Sequence, residues 1–332
     1  MLRKKDPIGN IKDIVHDKTV PNQRVLCVTP SISEVNTLTG LLNCRVTNTP
    51  LITNGACAVV LHGAGRPARR ALAASTGFEI PVLYTDFGPI KTFDTKEAHA
   101  LSMTFEHLGP PNAADRETYL EGLIKDDISD AEIARSERVI TLWKQAKVSR
   151  FNHSLGPELP SQRFVVVLAE PRVLGANPKE SRTATAAQVK LAKEKFPTHA
   201  VLVVKAEQYA ADAIQQADAV FTHSSPVGFE ALLWGTPLYV HGMPFYAGWG
   251  LTEDSLPAPE RRATLPHGLA QLAYAYMVKY SRYANPFDNT RIEVEQAIEF
   301  VEKTRPQAIE DAKRRENLRR KLPTWLRGLV KG

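Results

Sequence analysis

Short apolar runs that read as buried strands alternate with segments of helical period, and they do so twice along the chain. In the first half, runs at 24–29, 57–62 and 81–84 predict strands, with helices over 68–75, 116–124 and 130–148. In the second half, 164–169, 200–204, 219–222 and 238–241 predict strands, and 183–196, 208–216 and 228–233 predict helices. A strand that is apolar along its whole length must be covered on both faces, so this grammar predicts parallel sheets flanked by helices. Between the halves, residues 150–162 carry Asn152, Gly156, Pro157 and Pro160, the breakers of an interdomain linker. Three further helices are expected at 269–280, 291–303 and 306–321. The expected fold class is α/β. Two Rossmann-like domains, 1–150 and 151–265, would be followed by helices packing back (266–304) and a basic amphipathic tail (305–332).

A length of 332 residues is ample for two such domains, and 43% hydrophobic with 23% charged residues describes a folded globular chain. The N-terminus Met-Leu-Arg-Lys-Lys-Asp-Pro-Ile-Gly has positive charge with no apolar core behind it. It predicts neither a secretory signal nor a membrane span, hence a cytoplasmic protein. Cys27, Cys44 and Cys57 are spaced like neither a zinc site nor a redox pair; Cys27 and Cys57 lie in apolar runs and read as buried thiols.

The net charge of +6 is unevenly placed. From Lys313 onward eight Lys and Arg face one acid, Glu316, so the tail carries +7, while 34 basic against 35 acidic residues before it give −1. Leu318, Leu322, Trp325, Leu326, Leu329 and Val330 follow helical spacing, with Arg314, Arg315, Arg319, Arg320 and Lys321 on the polar side. This pattern predicts a helix on an anionic bilayer surface, interrupted or restarted at Pro323; the plainer reading is a tail packed on its own domain or solvated. A nucleic-acid partner is disfavoured, because the body has no basic run interleaved with aromatics.

Residues 222–254 carry the densest functional signal. His223, Ser224 and Ser225 follow a strand and precede a short helix opening at Gly228, where backbone N–H groups without intrahelical partners could face an anion. Glu230, just inside that helix, could accept hydrogen bonds from the vicinal hydroxyls of a ribose. Alternatively a serine only caps the helix and Glu230 only complements its dipole. The loop 242–250 combines three glycines and a proline with Phe245, Tyr246 and Trp249, flat surfaces on which a sugar could stack.

Two consecutive runs, Gly-Phe-Glu-Ala-Leu-Leu-x-Gly-x-Pro at 228–237 and Met-Pro-Phe-Tyr-Ala-Gly-Trp-Gly-Leu-Thr at 243–252, resemble the signature of the bacterial capsule-biosynthesis β-Kdo transferases. Asp-Arg-Glu-Thr-Tyr-Leu-Glu-Gly-Leu-Ile at 115–124 and Ser-Arg-Phe-Asn at 149–152 follow that family's order of motifs. The resemblance implies a GT-B-like architecture with parallel sheets facing across a cleft. It also implies a CMP-Kdo-like donor, a glycolipid or glycan acceptor, and no cofactor beyond the donor. Gly63, Gly65 and Arg66 resemble the family's Gly-Trp-Gly-Arg, with Ala64 in place of the aromatic; a simple strand-to-helix turn is the plainer reading. Asp86 matches a family Glu, Gly88 a Gly and Lys91 an Arg, while Phe87 replaces a second acid. Asp86 is thus a candidate catalytic carboxylate at a strand end, against an Asx turn.

Two family positions are lost. Where a loop ending in Gly-Asp-x-Ser is usual, this chain offers Glu170 and Arg172; where Lys-x-His-Pro is usual, it has Lys205-Ala-Glu-Gln. Glu170 is the second catalytic candidate, and Lys205, His223, Ser224, Ser225, Gly228 and Glu230 form the expected donor set. Gly63, Gly65, Arg66, Lys91, Tyr246 and Trp249 are expected at the acceptor or cleft. Sugar transfer from CMP leaves a phosphate and passes through an oxocarbenium-like state, so the site must neutralise one and present a carboxylate to the other. No metal cluster is expected, since His223, His241 and His267 are dispersed. An active transferase, a non-catalytic nucleotide- or glycan-binding scaffold of polysaccharide assembly or export, and a GT-B-fold sugar epimerase all remain open on the sequence.

Overall fold

The computed structural model describes residues 24–27, 35, 37–42, 44–47, 56–63, 66–77, 80–92, 100–111, 114–170 and 178–321. The first half contributes β1 (Arg24–Cys27), α1 (Leu38–Leu42), β2 (Arg45–Thr47), β3 (Ala56–His62), α2 (Arg66–Gly77), β4 (Val82–Phe87), β5 (Ser102–Glu106), α3 (Tyr119–Lys125) and α4 (Asp130–Gln145). The second half runs β6 (Phe164–Leu168), α5 (Pro178–Lys195), β7 (Ala200–Val204), α6 (Ala211–Gln216), β8 (Val220–Thr222), α7 (Gly228–Trp234), β9 (Leu238–Val240) and β10 (Glu253–Asp254). Then come α8 (Gly268–Ala273), continued as a π-helix over Tyr274–Tyr280, β11 (Ser281–Ala284), β12 (Arg291–Ile292) and α9 (Val294–Lys321).

Two sheets result, the α/β arrangement the sequence predicts. One has seven strands in the order β12-β11-β5-β4-β3-β1-β2, the other five in the order β10-β9-β8-β6-β7. Every pairing in the five-stranded sheet is parallel, as are those among β1 to β4. The physical reason is visible in β6: Val165 and Val167 pack on one face with Phe221, Val166 and Leu168 on the other with Val220, so no residue of the strand meets water. Cys27 and Cys44 are buried free thiols; the Cys57 side chain lies outside the described residues.

Three expectations are corrected. Strand β5 was not predicted: its Ser102, Thr104 and Glu106 look like a polar surface, yet all are buried with internal partners, as in the bond from Ser102 Oγ to the Ile90 carbonyl (2.7 Å). Residues 281–284 and 291–292, expected near helix ends, pair antiparallel with β5 and with each other and so complete the first sheet. The two helices expected at 291–303 and 306–321 are one, α9, which runs through the exposed Pro306.

A single hydrophobic cluster spans both halves. Ile90, Leu120 and Trp143 from the first share it with Phe229, Phe245 and Trp249 from the second and with Tyr276 from the crossing helix. The boundary between the sheets is thus bridged by one shared apolar core. No described helix is long and apolar enough to cross a membrane.

Candidate functional site in the cleft between the sheets

Asp86 is the penultimate residue of β4, where a carboxylate can fold back on the chain: the Phe87 N–H donates to Oδ1 at 2.7 Å. His62, ending the neighbouring parallel strand β3, places Nε2 3.5 Å from the same oxygen, and the Arg150 guanidinium stands at 3.8 Å. Burial alone would push the Asp86 carboxyl up, but the His62 hydrogen bond and the Arg150 charge outweigh it and hold the group below its ordinary range. The carboxylate is ionised at neutral pH and 31% exposed.

It opens onto a narrow gap with about 20 Å³ of free space, room for roughly one water molecule. Phe87, Thr104 and Arg150 line it from the first half, Pro226 and Phe245 from the second, Tyr276 and Tyr280 from the crossing helix. Asp86 thus faces the loop that precedes α7, as expected for strand ends of two opposed sheets.

Arg150 enters the sequence reading only within the Ser-Arg-Phe-Asn run at 149–152 and is given no role there, because it lies in the breaker segment. Its guanidinium donates to the carbonyls of Gly88 (2.6 Å) and Phe87 (3.0 Å), and its backbone N–H donates to Glu230 Oε1 (2.8 Å). Ser149 Oγ adds a bond to the same Glu230 oxygen at 3.0 Å. Glu230 is 3% exposed, and its Oε2 is buried without a hydrogen-bond partner. Burial raises its carboxyl to about 7 despite those bonds and the Arg150 charge. In this structure one Glu230 oxygen already accepts from Ser149 and Arg150, and the other is closed off from solvent, so neither is open to the expected diol.

The helix N-terminus also differs from expectation. The N–H of Gly228 donates to Ser225 O (2.9 Å), that of Phe229 to Pro226 O (3.3 Å) and that of Glu230 to Val227 O (3.0 Å), so a tight turn uses the donors that an anion would need. The N–H groups just before it are used by Glu170. Its Oε1 accepts from Thr222 Oγ1 (3.0 Å), His223 N (2.7 Å) and Ser224 N (3.0 Å), and its Oε2 from Ser224 Oγ (3.1 Å). Glu170 follows β6 by two residues, and the parallel pairing of β6 with β8 is what brings it there. It is not among the residues that line the cleft with Asp86, and it accepts from the N–H groups expected to face a donor anion. Ser225 turns inward, with its N–H on Thr222 Oγ1 (3.1 Å). His223 remains partly exposed, with Nδ1 3.3 Å from Ser224 Oγ. Lys205 is exposed at the end of β7, and its N–H donates to Gln208 Oε1 at 3.1 Å.

Tyr246 and Trp249 are core residues, 0% and 1% exposed, and this corrects their assignment as stacking surfaces. Tyr246 donates its hydroxyl to Ser225 O (2.7 Å) and Trp249 its indole N–H to Phe245 O (2.8 Å). The loop is held from behind by Arg262, which donates to the carbonyls of Pro244 and Ala247 (2.8 Å each) and pairs with the buried Glu121 of α3. Gly63 takes a left-handed φ of 72° beside His62 and Arg66 is exposed at the start of α2, while Gly65 and Arg172 lie outside the described residues. Lys91 reaches across the boundary: its Nζ is 4.7 Å from the Phe87 ring centre and 3.3 Å from Glu207 Oε1. Among the described residues no group of three or more His, Cys, Asp or Glu is placed to hold a metal ion.

Comparison with known proteins bears out the family resemblance. Residues 183–283 match the family described as capsule polysaccharide biosynthesis protein. The capsule polysaccharide modification protein LipA of Neisseria meningitidis serogroup A is 29% identical over 280 residues, 70% of this chain and 39% of that protein. The lipopolysaccharide-processing protein LpsZ of Rhizobium meliloti is 40% identical over 85 residues, 26% of this chain and 19% of that protein. The chain therefore spans about two fifths of the LipA sequence it matches. Among solved structures, the β-Kdo 2,4 transferase of Thermosulfurimonas dismutans KpsC superposes with a TM-score of 0.73 at 21% identity, over 85% of this chain and 99% of that one. The β-Kdo 2,7 transferase of the same protein gives 0.61 at 20% identity, with the same coverage. At that identity the likeness establishes the GT-B-like fold.

Proposed function

We propose that this relative of the capsule polysaccharide biosynthesis proteins is a glycosyltransferase of capsule or lipopolysaccharide biosynthesis. It would transfer Kdo or a related ulosonic acid from a CMP-sugar to a glycolipid or glycan acceptor. The observation that carries the reading is the ionised Asp86 carboxylate in the cleft between the sheets, steadied by His62 and Arg150 and facing Pro226. A carboxylate so placed can accept the proton of an acceptor hydroxyl as it attacks the anomeric carbon, while the bond to the CMP phosphate breaks and positive charge grows on the sugar ring. Its lowered proton affinity keeps the carboxylate ionised at neutral pH, ready to stabilise positive charge on the ring, and makes it a weak base.

Incubation with CMP-Kdo and a panel of glycolipid acceptors tests this directly. Turnover that falls by about 10²-fold or more in Asp86→Asn, with CMP binding retained, supports it. Wild-type turnover in that variant removes Asp86 from the chemistry.

A second reading draws on Glu170, whose carboxylate fills the place expected for the donor anion. A non-catalytic relative that binds a nucleotide or glycan as a scaffold in polysaccharide assembly or export would not need a donor phosphate positioned for transfer in this loop. Tight CMP binding without turnover on any acceptor would favour it. In either reading the basic C-terminal segment is proposed to hold the protein at the inner, cytoplasmic face of a membrane with anionic lipid, close to a lipid-linked acceptor.

A further inference from the structure

Glu230 and Asp86 sit on opposite sides of the boundary, and one residue joins them. Arg150 is anchored by its backbone N–H to Glu230 Oε1 at 2.8 Å, while its guanidinium, 7% exposed, is forked onto the carbonyls of Phe87 and Gly88, the two residues that follow Asp86. That fork leaves a guanidinium nitrogen 3.8 Å from Asp86 Oδ1. An arginine has many rotamers, and its head group stays put only when both ends are held. Here the far end is held by β4 and the near end by Glu230, with Ser149 Oγ on the same carboxylate oxygen at 3.0 Å. The Ser149 N–H is in turn held by Asn152 Oδ1 at 2.9 Å, so the Ser-Arg-Phe-Asn segment is a clamp closed on Glu230.

We propose that Glu230 is a positioning residue for Asp86: by fixing the backbone of Arg150 it sets where the guanidinium stands beside the Asp86 carboxylate, and it makes no contact with the donor. The proposal rests on Asp86 as the reacting group of the proposed function. It accounts for three observations together: a carboxylate buried at the boundary, both its accepted bonds coming from the linker, and the linker's arginine ending at β4. The charged and titratable neighbours that face Glu230 are Arg150 from the linker, Tyr209 from the segment before α6 and Tyr276 from the crossing helix. Of these, Arg150 donates to the carbonyls of the residues after Asp86, and Tyr276 bonds Arg150 and lines the same cleft as Asp86.

The test is a carboxyl ¹³C NMR titration of the full chain labelled at aspartate, with the Asp86 signal identified by its loss in Asp86→Asn. Arg150→Met removes the guanidinium and serves as the reference, expected to raise the Asp86 midpoint by roughly one pH unit or more. Glu230→Ala and Glu230→Asp, the latter one methylene too short to reach the linker, are expected to raise it in the same direction. Glu230→Gln keeps an amide oxygen that can accept both bonds and is expected to leave the midpoint near wild type. An Asp86 midpoint unmoved in Glu230→Asp, while Arg150→Met shifts it, overturns the proposal; should the alanine variant not fold, the aspartate variant decides alone. CMP calorimetry on Glu230→Gln gives the second reading: affinity lost with the midpoint unmoved would make Glu230 a donor ligand and equally overturn the proposal. None of these readouts needs turnover, so an inactive protein with a coupled Glu230 and Asp86 would refute the transferase reading and leave the coupling standing.

Discussion

Glu170 and Ser224 are joined twice, the Ser224 N–H donating to one carboxylate oxygen at 3.0 Å and its hydroxyl to the other at 3.1 Å. With His223 N and Thr222 Oγ1 added, the carboxylate accepts four hydrogen bonds from one loop. That loop supplies His223, Ser224 and Ser225, the residues from which the sequence builds a donor-phosphate site, so an anion of the chain's own already stands there. Any donor phosphate entering the loop must displace it against like-charge repulsion. Glu170→Ala is therefore expected to bind CMP about tenfold or more tightly than wild type, a change of about 1.4 kcal/mol. Calorimetry at constant ionic strength measures it. Equal or weaker binding in the variant would show that the phosphate does not use this loop.

Burial raises Glu230 from an ordinary 4.5 to about 7, and this fixes the sign of a pH effect on stability. Between those values the folded chain keeps the proton and the unfolded chain releases it, so rising pH favours unfolding. The contribution is whole below about pH 4.5 and gone above about pH 7. Asp86 acts in the opposite sense, but only at acid pH below its ordinary 3.8. Between pH 5 and 7 the wild type is expected to lose about 2–3 kcal/mol that Glu230→Gln, with nothing to titrate, does not lose. Urea unfolding of both proteins at the two pH values checks it, and parallel slopes would place the Glu230 titration outside that window.

The parallel strands were legible because each is a continuous apolar run, and β6 meets the strongest form of that rule. What was illegible depended on partners distant in sequence. Thr104 and Glu106 look solvent-facing until β11 and α3 cover them, with the Tyr119 N–H donating to Glu106 Oε2 at 2.7 Å. Pro306 reads as a break, yet α9 runs through it on its exposed side, where water can reach the Glu302 carbonyl that loses its partner. Asp86 was legible as a polar residue ending an apolar strand. Arg150 was not, since glycine and prolines around it read as a linker, and nothing local shows that its side chain crosses to β4. The aromatic loop was read as a binding surface on composition alone, and composition does not tell an exposed ring from a buried one.

Gly228 illustrates how that loop shapes α7. A Cβ at this position would clash with the Tyr246 hydroxyl, lie 2.8 Å from Tyr246 Cζ and 3.1 Å from Thr222 Cγ2. The hydroxyl cannot swing away without losing its bond to Ser225 O. Gly228→Ala is expected to cost about 1–3 kcal/mol by overpacking. Tyr246→Phe alone should cost about 1 kcal/mol, because Ser225 O still accepts from the Gly228 N–H at 2.9 Å. In the double variant the closest clash is gone, so its loss should be smaller than the sum of the two. Strict additivity in urea unfolding would mean that the two residues do not meet.

The C-terminal helix gives the last prediction. Val301 and Ala312 of α9 are buried, and Arg305 lies over the Tyr209 ring at 3.9 Å, so the helix is docked on the body through much of its length. Residues 317–321 are all exposed, with Leu318 at 52%, and they carry Arg319, Arg320 and Lys321 away from the body. The apolar residues expected to continue this face, Trp325 among them, lie outside the described residues. Truncation after Lys303 would strip Ala312 and Arg305 and test stability as much as docking; truncation after Glu316 removes five basic residues and leaves those contacts alone. If each basic residue near an anionic surface contributes about 1 kcal/mol, the shortened protein should lose nearly all sedimentation with phosphatidylglycerol vesicles while its thermal unfolding is unchanged. The intact protein should release from the same vesicles as salt rises from about 0.1 to 1 M, where the Debye length falls from roughly 10 to 3 Å. Sedimentation that survives both the truncation and the salt would mean that the basic end is a solvated extension and that any hold on a membrane lies elsewhere.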